Sequence, residues 1–153
     1  MTVKGSVAYF SVVAGNLDLG ALLAGGAERW LQRLVEGCRE AGFAKVTGTT
    51  CQVLWPLFDE DGLPISEVAA RAGLAKSSMT TIVRGLVQDG FVRLDRDPSD
   101  HRVKRLYLTP RARELEGVLT DRETRLRHRV TATLGIQGQR QLLVTLQRLL
   151  DTL

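Results

Sequence analysis

Ser77, Thr80, Thr81 and Arg84 stand at i, i+3, i+4 and i+7, with Lys76 and Ser78 beside the first of them. On a helix this spacing gathers the four into one stripe. Small hydroxyls and a guanidinium, with no carboxylate among them, suit the edge of a nucleic-acid groove. The hydroxyls bond to phosphate oxygens or base edges, and an arginine bonds in pairs to guanine or to phosphate. Lys76 adds a charge at the start of the stripe, where a phosphate would pass. A second set follows at Asp100-His101-Arg102. Arg102 suits a narrow minor groove, where negative potential concentrates. The acid so near it makes sense if Asp100 pairs with Arg102 and fixes its aim, because arginine–carboxylate pairs are geometrically specific. Arg93, Arg96, Lys104 and Arg105 surround this set and would add sequence-blind affinity through counterion release.

Each set needs an element to hold it. The first stripe needs a helix whose other face is buried, and Met79, Ile82, Val83 and Leu86 supply that face on a predicted helix from Ala75 to Asp89, ended by Gly90. A shorter helix, Ser66 to Ala72, precedes it, with Ser66 as N-cap and Gly73 as breaker. After Gly90 the period changes. Phe91–Leu94 reads as a strand, Arg96–Asp100 as an Asp- and Pro-containing turn, and the stretch around Val103, Leu106 and Leu108 as a second strand. Two short helices about a glycine turn, then a two-stranded hairpin, make a winged helix-turn-helix. The fold class is therefore mainly α with a small β-hairpin wing.

The flanks are helical. Leu19, Leu22, Leu23, Trp30, Leu34 and Cys38 give a helical period from Leu17 to Gly42. Gly25-Gly26 inside it costs about 1 kcal/mol per residue against alanine, which points to close packing on another helix or chain. Thr47–Phe58 reads as a helix burying Cys51, Leu54, Trp55 and Phe58, with Pro56 set to kink its last turn. Asp59-Glu60-Asp61-Gly62 reads as a polar turn. Thr109-Pro110 starts a long helix to about Leu134, Gly135 interrupts it, and Gln137–Leu153 forms a last, leucine-rich helix. A final helix this apolar is expected to pair across a two-fold axis. Residues 1–16 show no period and are read as an N-terminal arm.

Composition bounds the rest. The chain has 153 residues, 44% of them hydrophobic and 25% charged, which suits one globular domain with a core that needs no staples. The net charge of +4 says less than its distribution: residues 71–88 carry three bases and no acid, and residues 91–114 carry seven bases against four acids. Aromatic residues, at 5%, argue against base stacking as the main binding device. Cys38 and Cys51 form no CxxC, and His101 and His128 lie in no ligand cluster, so no metal or other cofactor is expected. There is no phosphate loop and no nucleophile elbow, so the chain reads as no enzyme. No apolar run is long enough to span a membrane. Only Lys4 precedes the apolar run Val7–Ala14, and no small-x-small site closes it, so it is not read as a secretory signal and the expected place is the cytoplasm.

The stretch from Ile65 to Leu86, then Gly90-Phe91-Val92-Arg93, Asp97-Pro98-Ser99-Asp100-His101-Arg102-Val103 and Leu108-Thr109-Pro110, resembles the MarR (multiple antibiotic resistance regulator) family. The motifs cover about Ile65 to Leu115, and the flanking helices fit the family's layout. The Asp97-Pro98-x-Asp100-x-Arg102 wing followed by Leu108-Thr109 is the most specific part. The resemblance implies a winged helix-turn-helix lobe at 47–108 between dimerisation helices at 17–46 and 109–153. It also implies a homodimeric repressor that binds palindromic operators in double-stranded DNA and is released by a small, often aromatic or phenolic, effector. This chain departs from the family at Ala75, where a capping Ser is common, at Leu94 and His101, where Arg is common, and at Ala112, where Gly is usual.

Trp30, Trp55 and Phe58 would line an effector pocket, or serve as plain core. Cys38 and Cys51 would act as a redox sensor in an alternative reading, or as small inert hydrophobes. Arg122, Arg125, Arg127 and Arg129 read as the solvated side of the long helix. A second alternative is a winged-helix module that binds protein and no DNA. The acid-free stripe argues against it.

Overall fold

The computed structural model describes residues 18–153. The arm expected at residues 1–16 and the run Val7–Ala14 lie outside the described residues. The elements in order are α1 (Leu19–Glu40), α2 (Gly48–Asp59), β1 (Leu63–Pro64), α3 (Ile65–Arg71), α4 (Lys76–Gln88), β2 (Val92–Arg96), β3 (Lys104–Leu108) and α5 (Pro110–Leu150).

Local chemistry sets most boundaries. The Asp18 carboxylate accepts from the amides of Gly20 at 2.9 Å and Ala21 at 3.3 Å, which starts α1. Thr47 and Thr50 form a reciprocal capping box that starts α2. Pro56 sits inside α2, yet the helix runs on to Asp59, so the loss is the one amide donor that proline lacks. Ser66 is not the cap of α3. That helix starts one residue earlier, at Ile65, with no side-chain bond at its start. The cause is a strand the sequence pattern did not reveal: β1 pairs with β3 and feeds directly into α3. The wing is therefore a three-stranded antiparallel sheet in the order β1-β3-β2, and not a hairpin alone.

The turn between α3 and α4 depends on Gly73, whose φ is +64°. The amides of Gly73 and Leu74 return to the carbonyls of Ala70 and Ala69, at 3.2 and 2.9 Å, closing α3 and sending the chain into α4. α4 ends in the same way, with Phe91 reaching back to the Leu86 carbonyl at 2.9 Å. Strand β2 then starts from a fully buried Phe91. Its register with β3 sets Val92 opposite Leu108, Leu94 opposite Leu106 and Arg96 opposite Lys104.

The core lies under these elements. Leu54, Leu57, Met79, Phe91, Leu106 and Leu115 are fully buried. The Phe43 and Phe91 rings lie 6.4 Å apart, and the Arg111 guanidinium covers both at 5.5 and 5.3 Å. Trp55 does not join them. It is 38% exposed and lines a surface depression beside Arg71 and Ala72 at the end of α3. Thr109 ties α5 to the wing: its hydroxyl donates to the Gly90 carbonyl at 2.6 Å and caps the helix through the Ala112 amide at 3.3 Å.

α1 lies against α5. A side chain at Gly37 would come within 2.7 Å of Arg122 Cδ, so the glycine lets Arg122 cross α1 and pair with Glu40 at 3.2 Å. Arg122 is therefore not on a purely solvated side, as the sequence pattern suggested. Beyond Leu119 no residue of α5 is buried, and Gly135 breaks the helix at φ 71°. Ile136 (75% exposed), Leu143, Val144 and Leu150 on α5 stand in the open, as do Leu19 and Leu22 on α1. Among the described residues a Cβ placed at Gly25 or Gly26 would meet nothing within 4 Å, so packing among them does not account for the pair.

Candidate nucleic-acid interface

α4 presents its stripe as the spacing predicts. Met79, Val83 and Leu86 are buried and Ile82 is half-buried, while Lys76, Ser77, Ser78, Thr80, Thr81 and Arg84 are exposed. Ala75 gives the helix no side-chain cap, as expected from its type. Among the described residues neither Lys76 nor Arg84 takes part in an ion pair.

The wing is built differently from the expectation. Asp100 forms no ion pair with Arg102; its carboxylate accepts the Arg102 backbone amide at 2.9 Å and so shapes the turn. The organising acid is Asp97, 5% exposed. Its carboxylate accepts from the Ser99 hydroxyl, from the amides of Ser99 (2.7 Å) and Asp100 (3.1 Å), and from Arg105 Nε. The Ser99 hydroxyl and the Arg105 guanidinium hold this carboxyl well below the usual carboxylate range. Arg105 also donates to the Gly62 carbonyl at 2.7 Å, so it is part of the wing's frame and not a free surface charge.

The other bases divide in the same manner. Arg93 pairs with Asp95 and lies 4.3 Å from the centre of the Tyr107 ring. It is exposed but already engaged within the chain. Arg111 covers the two Phe rings, and Arg113 pairs with Glu116 and Asp61. Of the seven bases between residues 91 and 114, Arg96, Arg102 and Lys104 make neither an ion pair nor a contact with an aromatic ring among the described residues. Two of them, Arg96 and Lys104, stand directly opposite each other across β2 and β3. Like charges opposed in this way destabilise a hairpin. The fold tolerates that cost at a tip where a polyanion would relieve it.

The three residues considered for an effector pocket are not brought together in one chain. Trp30 faces a groove of about 490 Å³ between α1 and α5, shared with Gly26, Leu126, Val130, Leu134 and Leu142. Trp55 lines a separate depression of about 310 Å³ with Gln52, Pro56, Asp59 and Arg71. Phe58 packs at the edge of the core.

Cys38 and Cys51 are fully buried. Burial pushes the Cys38 thiol up, with Arg122 opposing, and pushes Cys51 up to about 12, with Cys38 adding to the rise. Thiols held protonated and covered lack the thiolate and the access that a reactive cysteine needs. Among the described residues no three acidic, histidine or cysteine side chains gather as a metal site.

Sequence reasoning named Asp97, Arg105 and Asp61 but missed their roles in the frame of the wing. The Asp97-Pro-Ser spacing carried a signal for the first, because an aspartate that bonds amides two and three residues on is a recurrent turn device. The Arg105–Gly62 and Asp61–Leu108 bonds join residues more than 40 positions apart, and no local pattern reports them.

Residues 46–104 match the model of the MarR family. The HTH-type transcriptional regulator TtmR of Methylorubrum extorquens (strain PA1) is 35% identical over 65 residues, which span 42% of this chain and 33% of that protein. The transcriptional repressor CouR, solved bound to a 23-mer DNA duplex, superposes with a TM-score of 0.73 at 24% identity, covering 88% of this chain and 99% of that one. The PcaV transcriptional regulator from Streptomyces coelicolor, solved in complex with its natural ligand, superposes at 0.64 with 26% identity over 90% of this chain and 97% of that one.

Proposed function

Through residues 46–104 the chain belongs to the MarR family of transcriptional regulators, and from that premise we propose that it works as a homodimeric repressor of a palindromic operator. The observation that carries this reading is the exposed, acid-free stripe of α4 together with a wing whose Arg96, Arg102 and Lys104 are exposed and make no ion pair among the described residues. α4 enters a major groove with Ser77, Ser78, Thr80, Thr81 and Arg84 toward base edges and phosphates, and Lys76 toward the backbone. Arg102 enters the adjacent minor groove, and Arg96 and Lys104 flank it on the phosphates. Asp100 serves by shaping the turn that carries Arg102. The DNA-binding lobe is residues 47–108, and the helices at 17–46 and 109–153 pair across a two-fold axis. The apolar side chains exposed on α1 and α5 support this pairing. Such a dimer sets two α4 helices about 34–36 Å apart, one turn of the duplex.

A small aromatic or phenolic effector releases the DNA by favouring a conformer with a different spacing of the two lobes. The relative solved with its natural ligand supports a ligand for this chain. The described residues include no helix long and apolar enough to cross a membrane; the proposed place of action, with DNA as the partner, is the cytoplasm.

The test is fluorescence anisotropy with duplexes from the DNA upstream of the chain's own coding region, at several salt concentrations. Arg84→Ala is expected to cost about 1–3 kcal/mol and to relax sequence preference, while Lys104→Ala lowers the salt slope by about one without changing preference. Weak binding with no salt dependence and no effect of either variant overturns the proposal in favour of a protein-binding module.

A further inference from the structure

We propose that the Asp61-Gly62 turn is the joint through which α5 sets the aim of the wing, which makes Asp61 and Arg113 positioning residues for the minor-groove contact. The proposal rests on the DNA-binding reading above and adds to it a route from the dimerisation helix to the wing tip.

Two chains of bonds converge on this turn. From the wing, Asp97 gathers the 97–100 turn and holds Arg105, and Arg105 Nη1 donates to the Gly62 carbonyl at 2.7 Å. From the other side, Arg113 on α5 reaches Asp61 Oδ2 at 3.5 Å while its second nitrogen donates to Glu116 at 2.9 Å. Asp61 Oδ1 closes the circuit by accepting the Gly62 amide and the amide of Leu108, the last residue of β3, each at 2.9 Å. The turn has no slack. Gly62 has a φ of +75°, and a side chain there would come within 2.6 Å of the Tyr107 ring, the ring that Arg93 covers. A glycine locked under Tyr107, one carbonyl fixed to the wing's frame and one carboxylate shared by β3 and α5 connect the base of the wing to the long helix.

The pair Asp61–Arg113 is half-exposed. Exposed ion pairs add little to stability, so a large effect of breaking it on DNA affinity, without an effect on melting, would report positioning. Arg113 is one turn into α5, so a shift of that helix is transmitted to β3 and through Arg105 to the turn that carries Arg102. Thr109 joins β3 to α5 along the chain and bonds the Gly90 carbonyl at the start of β2; the Asp61 turn adds the side-chain link from α5 to the amide of Leu108 and, through Gly62 and Arg105, to the 97–100 turn.

The experiment is a double-mutant cycle on the full chain, read by anisotropy with the upstream duplex and by thermal melting. Arg113→Ala is expected to weaken DNA binding about threefold to tenfold with an unchanged melting temperature. In an Arg102→Ala background the same substitution is expected to do almost nothing, because there is then no wing contact left to aim. Arg113→Lys, which keeps the charge facing Asp61, is expected to restore most of the affinity, and Asp61→Asn to behave as Arg113→Ala. Equal losses from Arg113→Ala in both backgrounds, or no loss in either, overturn the joint. So does a loss that tracks a lowered melting temperature and is not rescued by lysine. Absence of binding by the unaltered chain to any upstream duplex is a different result: it overturns the DNA-binding reading itself.

Discussion

The lobe between Leu34 and Leu119 and the helices outside it treat the same kinds of side chain in opposite ways. Inside, leucine, valine and phenylalanine are mostly buried among themselves, with Val87 and Leu94 the exposed exceptions, and even Asp97 bonds within the chain. Outside, Leu19 and Leu22 on α1, and Ile136, Leu143 and Leu150 beyond the Gly135 break in α5, face solvent although they lie on helices. Helical propensity and caps were enough to form these segments; what they lack is a surface to cover their apolar side. The lobe closes its core as one chain, whereas the outer helices leave apolar side chains that the proposed dimer would cover. In that reading the chain divides its two tasks by whether a core can close without a second copy.

The contrast can be broken from either side. Phe91→Ala removes a fully buried ring from the lobe and is expected to cost about 3–5 kcal/mol of stability, measured by urea denaturation. A cost well under this would mean that the lobe's core is less self-sufficient than its burial indicates. Leu143→Asp leaves the lobe untouched and is expected to convert dimer to monomer on light scattering. It should weaken operator binding at least about a hundredfold, roughly 2.7 kcal/mol, while the lobe's own melting changes little. A monomer with full affinity would separate the two tasks more completely than proposed.

The smallest effect sharpens the comparison within the lobe. Asp97 has its carboxyl held below the usual range, so its contribution is present above about pH 4, the ordinary carboxylate pKa, and is lost as the pH falls below it. The wing amides of Ser99 and Asp100 should therefore lose protection from hydrogen exchange in acid before the core does. In Asp97→Asn they should be less protected at neutral pH and show little further loss in acid. An unchanged exchange pattern in that variant would remove Asp97 from the centre of the wing.

The elements around α4 were legible because burial and period coincide there: Met79, Val83 and Leu86 recur on one side, and glycines mark both ends. The three-stranded sheet was not, since β1 is two residues long, too short for any period, and one of them is proline. The site was half legible. Exposure of Ser77, Thr80 and Arg84 follows from their spacing alone. Which bases stay free on the wing does not, because Arg93, Arg105 and Arg113 are claimed by Asp95, Asp97 and Asp61, and only the folded chain brings the last of these within reach. The role given to Asp100 illustrates the same limit: its side chain was assigned to a guanidinium two residues away when the nearer backbone amide holds it.

The facing pair Arg96 and Lys104 gives the wing two opposite responses to ionic strength. In the free protein, added salt screens the repulsion between them and tightens the strands, since exposed charges are damped over about 10 Å at 0.1 M. On DNA, the same salt competes with those cations for phosphate and loosens the complex. Free and bound wings would thus drift in opposite directions along a salt titration, and the hairpin tip would be most ordered off the DNA under the conditions in which it binds least.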